Sequence, residues 1–428
     1  MVIAAPIFAA IFAPRWFMDD PIKYEAAAEM LRITFPYLFF ISMTGLAGAV
    51  LNSYDRFSVP AFTPILLNAT LIFSAIFAAP LFEQPAFALA WGVLLAGVVQ
   101  FMFQLPFLHK IHMLPMPSID WHDSGVRKIL LLMGPAIFGV SVSQINLVLD
   151  TILATFLPTG SVSWLYYSDR LSELPLGVFG VAIATVILPN LSRHHTSDSA
   201  AKYSATLEWA LKLILIIAVP SAVALIILAE PILATLFFYG DVMTSRDMSM
   251  AALSLKAYSA GLIAFMLIKV LAPGFFARQD MRTPVKIGII AMVSNMFLNL
   301  LFVLPLHFYW QIGHLGLAIA TSMSAFLNAI LLFVFLRKDK IYIPESNWLV
   351  FLLRLVFAVL AMVIGLVLLS NNLDLLAIDV WEQLGWLQRV RGISIVCIVG
   401  FLIYVISLVL MGLRPADLRG PNKATSRQ

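Results

Sequence analysis

The chain has 428 residues, 61% of them hydrophobic and 12% charged, with a formal net charge of +4 and a mean hydropathy of +0.95. A soluble domain carries roughly 25% charged residues, so this composition excludes a water-facing surface of the chain's own size and makes lipid the solvent for most of it. So small a net charge gives no reason to expect a nucleic-acid partner. The one cysteine, Cys397, excludes an intrachain disulfide and a cysteine-rich metal site and reads as a small buried hydrophobe.

The opening apolar run, 2–13, has no basic stretch before it, so it is a poor signal peptide. It is also short of the about 20 residues a spanning helix needs, and reads as the second half of a helix whose first half is missing. The apolar segments fall at 1–14, 33–53, 60–82, 87–108, 129–157, 172–191, 206–237, 250–276, 284–305, 314–336, 349–370 and 392–413. Most are long and nearly free of charge, which predicts an all-α integral membrane protein of about twelve transmembrane helices. The ten-residue alternating strands of a membrane β-barrel are absent from the sequence.

The connecting segments alternate in charge. One side receives Arg56; Lys110, Arg127 and Lys128; Arg193 and Lys202; Arg278, Arg282 and Lys286; Arg337, Lys338 and Lys340; and Arg414, Arg419, Lys423 and Arg427. The other receives Arg15, Lys23, Arg32, Arg170, Arg246, Arg389 and Arg391. The positive-inside rule puts the first set, and with it the C-terminal tail, in the cytoplasm.

Two stretches read alike: LNSYDRFSVPAFTP from Leu51 and APGFFARQDMRTP from Ala272. Each leaves a long helix, passes an aromatic turn with Asp and Arg, and re-enters the membrane at a proline, Pro60 or Pro284. The exits QLPFLHK (104–110) and LFVFLRK (332–338) also correspond. Such a repeat suits a transporter of two pseudo-symmetric lobes; chance likeness of apolar hairpins is the simpler alternative.

Charge inside a membrane costs about 2.5–3.5 kcal/mol on insertion scales and usually faces water or a partner. Four places qualify. In YYSDRLSE (166–173), Asp169 and Glu173 share a helix face with Arg170 alongside, a group suited to closing a gate, to holding a phosphate bidentately, or simply to anchoring the helix end it opens. Lys269 either snorkels to the interface or meets a pyrophosphate. Asp150 lies far along a helix that Pro135 is expected to kink; with Asn295, Asn299 and Thr321 it makes a hard-oxygen set for Na⁺ or a proton-coupling site, or else interhelical packing glue. Arg354, near the start of its segment, snorkels or helps hold a lipid phosphate.

Enzyme signatures are missing. His109, His112, His122, His194 and His195 fall in loops on the basic side and form no ligand pattern; there is no G-x-S-x-G and no Walker loop. No ATP-binding motif supplies power, so transport is expected to run on an ion gradient, on membrane potential or on removal of product.

LRITFPYLFFISMTGLAGAVLNSYDRFSVPAFTPILLN (31–68), the block 133–192 from MGPAIFGV to VILPNLS, and KVLAPGFFARQDMRTPVKI (269–287) closely resemble the MurJ/MviN family, and the resemblance covers essentially the whole chain. It implies the multidrug/oligosaccharidyl-lipid/polysaccharide exporter superfamily and a V-shaped pair of six-helix lobes. Two extra C-terminal helices are implied to form a groove for a lipid tail. The implied activity is flipping of lipid II, an undecaprenyl-pyrophosphate-linked peptidoglycan precursor, across the bacterial inner membrane. Asp169, Arg170 and Glu173 then match the family's charged cavity cluster and Lys269 a further cavity cation. Asp150, Asn295, Asn299 and Thr321 resemble the sodium-site positions of some members. The expected organisation is an incomplete N-terminal lobe at 1–110, a C-terminal lobe at 111–340, two additional spans at 341–413 and a cytoplasmic tail at 414–428. Family members have fourteen helices; the first two and part of the third, with the arginines expected to grip the pyrophosphate, have no counterpart here. Expected partners are lipid II, membrane lipids and cell-wall synthesis proteins, with no cofactor beyond a coupling Na⁺ or H⁺.

Three other readings compete with this one. An ion-coupled drug/cation antiporter of the same superfamily would want an apolar or acidic cavity, against Arg170 and Lys269. A membrane lipid-carrier transferase or phosphatase would need catalytic acids or histidines near the headgroups. A pure scaffold predicts that Asp150 and Arg170 substitutions are silent.

Overall fold

The computed structural model describes residues 1–114, 124–196, 200–240, 243–344, 347–372 and 384–413. The tail 414–428 with its four basic residues, and His122, lie outside the described residues, as do the side chains of Lys128, Pro135, Arg193, His194 and His195. Among the described residues the regular structure is helical throughout. In chain order the helices are α1 (Ala5–Phe12), α2 (Pro14–Asp19), α3 (Pro21–Thr34), α4 (Tyr37–Ser53), α5 (Ser58–Phe73), α6 (Pro85–Lys110), α7 (Ser124–Thr155) and α8 (Ser161–Pro175). They continue as α9 (Val181–Thr196), α10 (Ala200–Ile227), α11 (Ala229–Phe237), α12 (Ser245–Phe276), α13 (Arg282–Trp310), α14 (Gly313–Lys338), α15 (Trp348–Asn372) and α16 (Trp386–Leu410). Five-residue π-helical turns extend α5 (Ser74–Ala78) and join α8 to α9 (Leu176–Gly180).

Ten of these helices or continuous helix pairs are long and apolar enough to cross a membrane, and α7 carries a shorter apolar stretch, Gln144–Thr155. The first apolar segment forms only the eight-residue α1. Outward faces are greasy: Phe39, Leu46, Phe297, Ile364 and Phe401 are all exposed. In the span Ser58–Leu81 only 6% of the most apolar window is buried by protein, which is the pattern of a helix solvated by lipid.

Three boundaries depart from hydropathy, each for a local reason. The second span begins at Pro21, not near 33, because the Asp20 carboxylate accepts from the Lys23 N–H and proline starts the helix; its polar first turns carry no hydropathy signal. The segment expected at 172–191 begins at Ser161, directly after Gly160 at φ +103, where a Cβ would lie 2.6 Å from the Trp164 ring. The motif at 166–173 therefore sits inside a helix and does not open one. The segment 206–237 breaks at Leu228, since Pro231 has no N–H for the Ile227 carbonyl.

The chain divides into two compact units, Met1–Ala136 and Ile137–Gln428. In the first, α4, α5 and α6 close on Ala47, Leu51, Val59 and Leu108. A polar seam crosses the same helices: Gln100 donates to the Thr63 carbonyl and Gln104 to the Thr63 hydroxyl. In the second, α12 is the central strut. Its Ser168 partner on α8 donates to the Ala251 carbonyl, its Gly261 meets Ser322 of α14, and Leu262, Met266 and Val270 share a core with Leu207, Leu211 and Ile214 of α10. The antiparallel pair α15–α16 packs on α10 and α11 through Leu355, Met362, Leu366 and Leu408.

The two turns that suggested a repeat share their hydrogen bonding. Asp55 (φ 58) and Gln279 (φ 62) are left-handed, and the N–H of the following residue returns to a carbonyl five residues back, Arg56 to Leu51 and Asp280 to Phe275. This is the helix-ending geometry of a Schellman motif. The exits match in the same way. His112 and Lys340 are left-handed, with Met113 bonding to Leu108 and Ile341 to Leu336.

Candidate functional site

The four oxygen-bearing residues singled out on three separate helices converge. The Asn299 amide on α13 donates to Asp150 Oδ1 on α7 at 2.6 Å and to Asn295 Oδ1 at 2.9 Å. Thr321 Oγ on α14 donates to Asp150 Oδ2 at 3.2 Å and accepts from the Asn295 amide at 3.3 Å. Asn295 and Asn299 are fully buried, and four-residue spacing puts them on one face of α13. The arrangement is a closed ring in which the Asp150 carboxylate only accepts, as an ionised carboxylate must. One atom is left over: Asn299 Oδ1 is buried without a hydrogen-bond partner. A buried orphan acceptor beside a carboxylate and a hydroxyl fits a hard monovalent cation or a protonated donor.

The charged group on α8 is arranged differently from its sequence reading. Asp169 and Glu173 do share a face, but Arg170 pairs with Glu173 at 2.9 Å and stacks 5.2 Å over the Tyr166 ring. Among the described residues the Asp169 carboxylate makes no hydrogen bond or ion pair, while Ser172 uses the Asp169 carbonyl. Arg170 lies nine residues, about 14 Å, into the 32-residue span Ser161–Ser192. A half-exposed ion pair at that depth needs water or a polar ligand beside it.

Lys269 does not join that group. Its stem runs beside Gly180 in the π-helical turn, 3.6 Å from where a Cβ would stand, and ten residues, about 15 Å of helix, separate Gly180 from Arg170. The Lys269 ammonium is exposed, about 10 Å short of the end of α12. Arg354 reaches the C-terminal end of α16, with its guanidinium 3.5 Å from the Gly412 carbonyl, where a cation complements the helix dipole.

An apolar groove of about 470 Å³ runs between α10, α15 and α16, bounded by Pro220, Met362, Leu366, Gly400 and Tyr404. Phe179 of the π-helical turn reaches the same groove. Cys397 lines it as well, so this thiol is no buried core residue but an exposed one.

Several structural polar residues escaped the sequence reading. Arg389, read as a loop cation, is 5% exposed and donates to the carbonyls of Leu384, Ala234 and Phe238 while its guanidinium covers the Phe238 and Tyr239 rings. It ties the start of α16 to the end of α11, and its place three residues into a helix is the signal hydropathy missed. Tyr258 of α12 shares a core with Ala154, Leu165, Val303 and Ala318. Each of these is one helical turn from Asp150, Asp169, Asn299 or Thr321, respectively, and the Tyr258 phenol lies within electrostatic reach of both carboxylates.

The family model for lipid II flippase MurJ matches residues 1–378. A probable lipid II flippase MurJ of Haemophilus influenzae is 44% identical over 433 residues, covering 98% of this chain and 82% of its own. One from Vibrio cholerae is 46% identical over 424 residues, covering 98% and 78%. Among solved structures, a lipid II flippase MurJ in an inward closed conformation superposes with a TM-score of 0.72 at 24% identity, over 95% of this chain and 80% of that one. An inward-facing multidrug resistance MATE transporter gives 0.62 at 17% identity, over 79% and 76%. With residues 1–378 matched by the family model and 98% of its length aligned to relatives at 44% and 46% identity, this chain belongs to the MurJ family of lipid II flippases.

Proposed function

We propose that this chain is a lipid II flippase, a transporter and not an enzyme, that carries undecaprenyl-pyrophosphate-linked peptidoglycan precursor from the cytoplasmic to the periplasmic leaflet of the bacterial inner membrane by alternating access. The observation that carries the reading is the apolar groove on α15 and α16 in the same unit as a half-exposed arginine within the span that α8 opens. A polyprenyl tail asks for the first and a pyrophosphate for the second. Flipping needs only differential affinity for two states, with no chemistry on the substrate.

The residues then divide the work. Arg170, held loosely by Glu173, exchanges that carboxylate for a phosphate oxygen, and Asp169 and Glu173 set the charge balance when the headgroup leaves. Lys269 adds positive potential near the basic end, and Arg354 secures the α15–α16 pair while remaining in reach of a lipid phosphate. Asp150, Asn295, Asn299 and Thr321 would hold Na⁺ or a coupling proton. A bound cation there supplies charge that compensates Asp150 and satisfies Asn299 Oδ1. The C-terminal tail lies on the cytoplasmic side by its basic residues, and cell-wall synthesis proteins are the natural neighbours. The drug antiporter reading has the likeness to a MATE transporter in its favour, but Arg170 and Lys269 would repel a cationic drug.

Expression in a strain depleted of its own lipid II flippase tests the proposal. Rescue of growth, with lipid II reaching the outer face of spheroplasts, is the expected result. Rescue should be lost in Arg170→Ala at unchanged membrane expression. Full growth of Arg170→Ala removes that residue from the mechanism, and accumulation of lipid II on the inner face despite good expression rejects the flippase reading.

A further inference from the structure

A second apolar cavity, of about 560 Å³, opens between α10, α12 and α14, away from the α15–α16 groove. Leu211, Leu267, Phe326 and Ile330 form its walls, and Arg337 and Trp348 stand at its polar end. Its size is that of a ligand pocket, about 300–1,000 Å³. Ile330 is more than half exposed although it lines the cavity, so the cavity opens laterally onto the membrane and is not sealed core.

The polar end has a defined charge. Arg337 is in the last turn of α14, exposed, followed by the exposed Lys338 and Lys340. Among the described residues its guanidinium has no hydrogen bond or ion pair. Asp339 is exposed two residues on and leaves the run 337–340 net positive, while Glu208 is buried and paired with Lys212, whose ammonium also lies 5.5 Å over the Trp348 ring. Tyr342 donates to Glu208, and the Trp348 indole N–H donates to the Tyr342 hydroxyl. The half-buried Trp348 at the start of α15, beside the basic run 337–340, fits headgroup level. What is left is an apolar slot with one uncommitted arginine at its mouth, where lipid headgroups lie.

We propose that this cavity is a binding site for an anionic glycerophospholipid, with an acyl chain between α10, α12 and α14 and the phosphate on Arg337. A basic pocket between transmembrane helices selects such headgroups by charge, and a guanidinium takes a phosphate through two parallel bonds. A free phosphate has no use for the slot, and a zwitterionic lipid fills it but does not use the net charge. The site is separate from the flippase reading, and no flipping is needed to observe it.

The test is native mass spectrometry of the full purified chain with dioleoyl phosphatidylglycerol or dioleoyl phosphatidylcholine. Wild type should retain phosphatidylglycerol about fivefold better, the worth of one surface cation. Arg337→Gln should bring the two lipids level, Ile330→Trp should weaken both, and Lys338→Gln should keep the preference for phosphatidylglycerol. Monodisperse elution of each variant shows that it folds. Equal retention of both lipids by wild type, or an undiminished preference in Arg337→Gln, overturns the proposal.

Discussion

Replacing Asn299 with alanine removes two donated bonds from a fully buried site, one to Asp150 at 2.6 Å and one to Asn295 at 2.9 Å. In water-soluble proteins a bond to a charged acceptor contributes about 1.5–3 kcal/mol and a neutral one about 0.5–1.5, which together suggest about 2–4.5 kcal/mol. In membrane bundles single interhelical bonds average only about 0.6 kcal/mol, with a maximum near 1.7, because the unfolded chain in lipid also finds partners. The asymmetry of hydrogen bonding decides between these. Asn299→Ala takes the donor from Asp150 Oδ1 while Thr321 still serves Oδ2, and a part-buried carboxylate oxygen left unpaired costs more than the lost bond itself. The expected loss is therefore about 1.5–2 kcal/mol, at the top of the membrane range. Unfolding of the purified chain in SDS, followed by helix signal and run beside Asp150→Ala and the double variant, measures it. Coupling between the two sites should be about 1 kcal/mol or more. In Na⁺, wild type should gain stability relative to choline, and both single variants should lose that gain. A loss below about 0.5 kcal/mol, or simple additivity of the two changes, would refute the argument that the ring acts as one unit.

Further predictions rest on other contacts. Arg389→Gln leaves the Ala234 and Phe238 carbonyls at the end of α11 and the Leu384 carbonyl without the guanidinium, and should cost about 1–3 kcal/mol, seen as lost monodisperse yield in fluorescence-detected chromatography. Glu173→Gln removes a half-exposed ion pair, so stability should change by less than about 1 kcal/mol; if complementation falls while the melting point holds, the loss belongs to function. Gly316→Ala puts a Cβ 2.9 Å from three backbone atoms of Phe302 and Val303, which no rotamer can relieve, so α13 and α14 must separate and thermal stability should fall by about 1–3 kcal/mol.

The apolar segments could be read because lipid demands unbroken runs, and the Asp150, Asn295, Asn299 and Thr321 ring because polar residues at such depth have few other places to go. What hydropathy misses is structure built from polar residues at helix ends. The start of the second span at Pro21 rests on the Asp20 cap, and Arg389 belongs to a helix only because three carbonyls await it. Pairing within 166–173 was likewise undecidable. Asp169 and Glu173 are both within a turn of Arg170, and it is the stacking on Tyr166 and the bond to Glu173 that settle the rotamer. The distance between Arg170 and Lys269 is a property of the helix bundle, which no spacing in the sequence expresses.

The π-helical turn at Leu176–Gly180 bears on how this gene can change length. On α8 the buried stripe ends at Ser168 and Ser172, and it resumes at Gly180, Ile183, Ile187 and Leu191. Eight residues separate Ser172 from Gly180 where two α-helical turns take about seven. The turn has absorbed one surplus residue, and the stripe continues on the same side. Loss of one codon anywhere else in this span would rotate everything beyond it by about 100° and turn Ile187 and Leu191 out of the core. Loss of one codon between Leu176 and Gly180 would instead convert the π turn to an ordinary one and keep both faces aligned. This is where the span can shorten by a residue and still fold, and where relatives differing by a single gap in this helix should carry it.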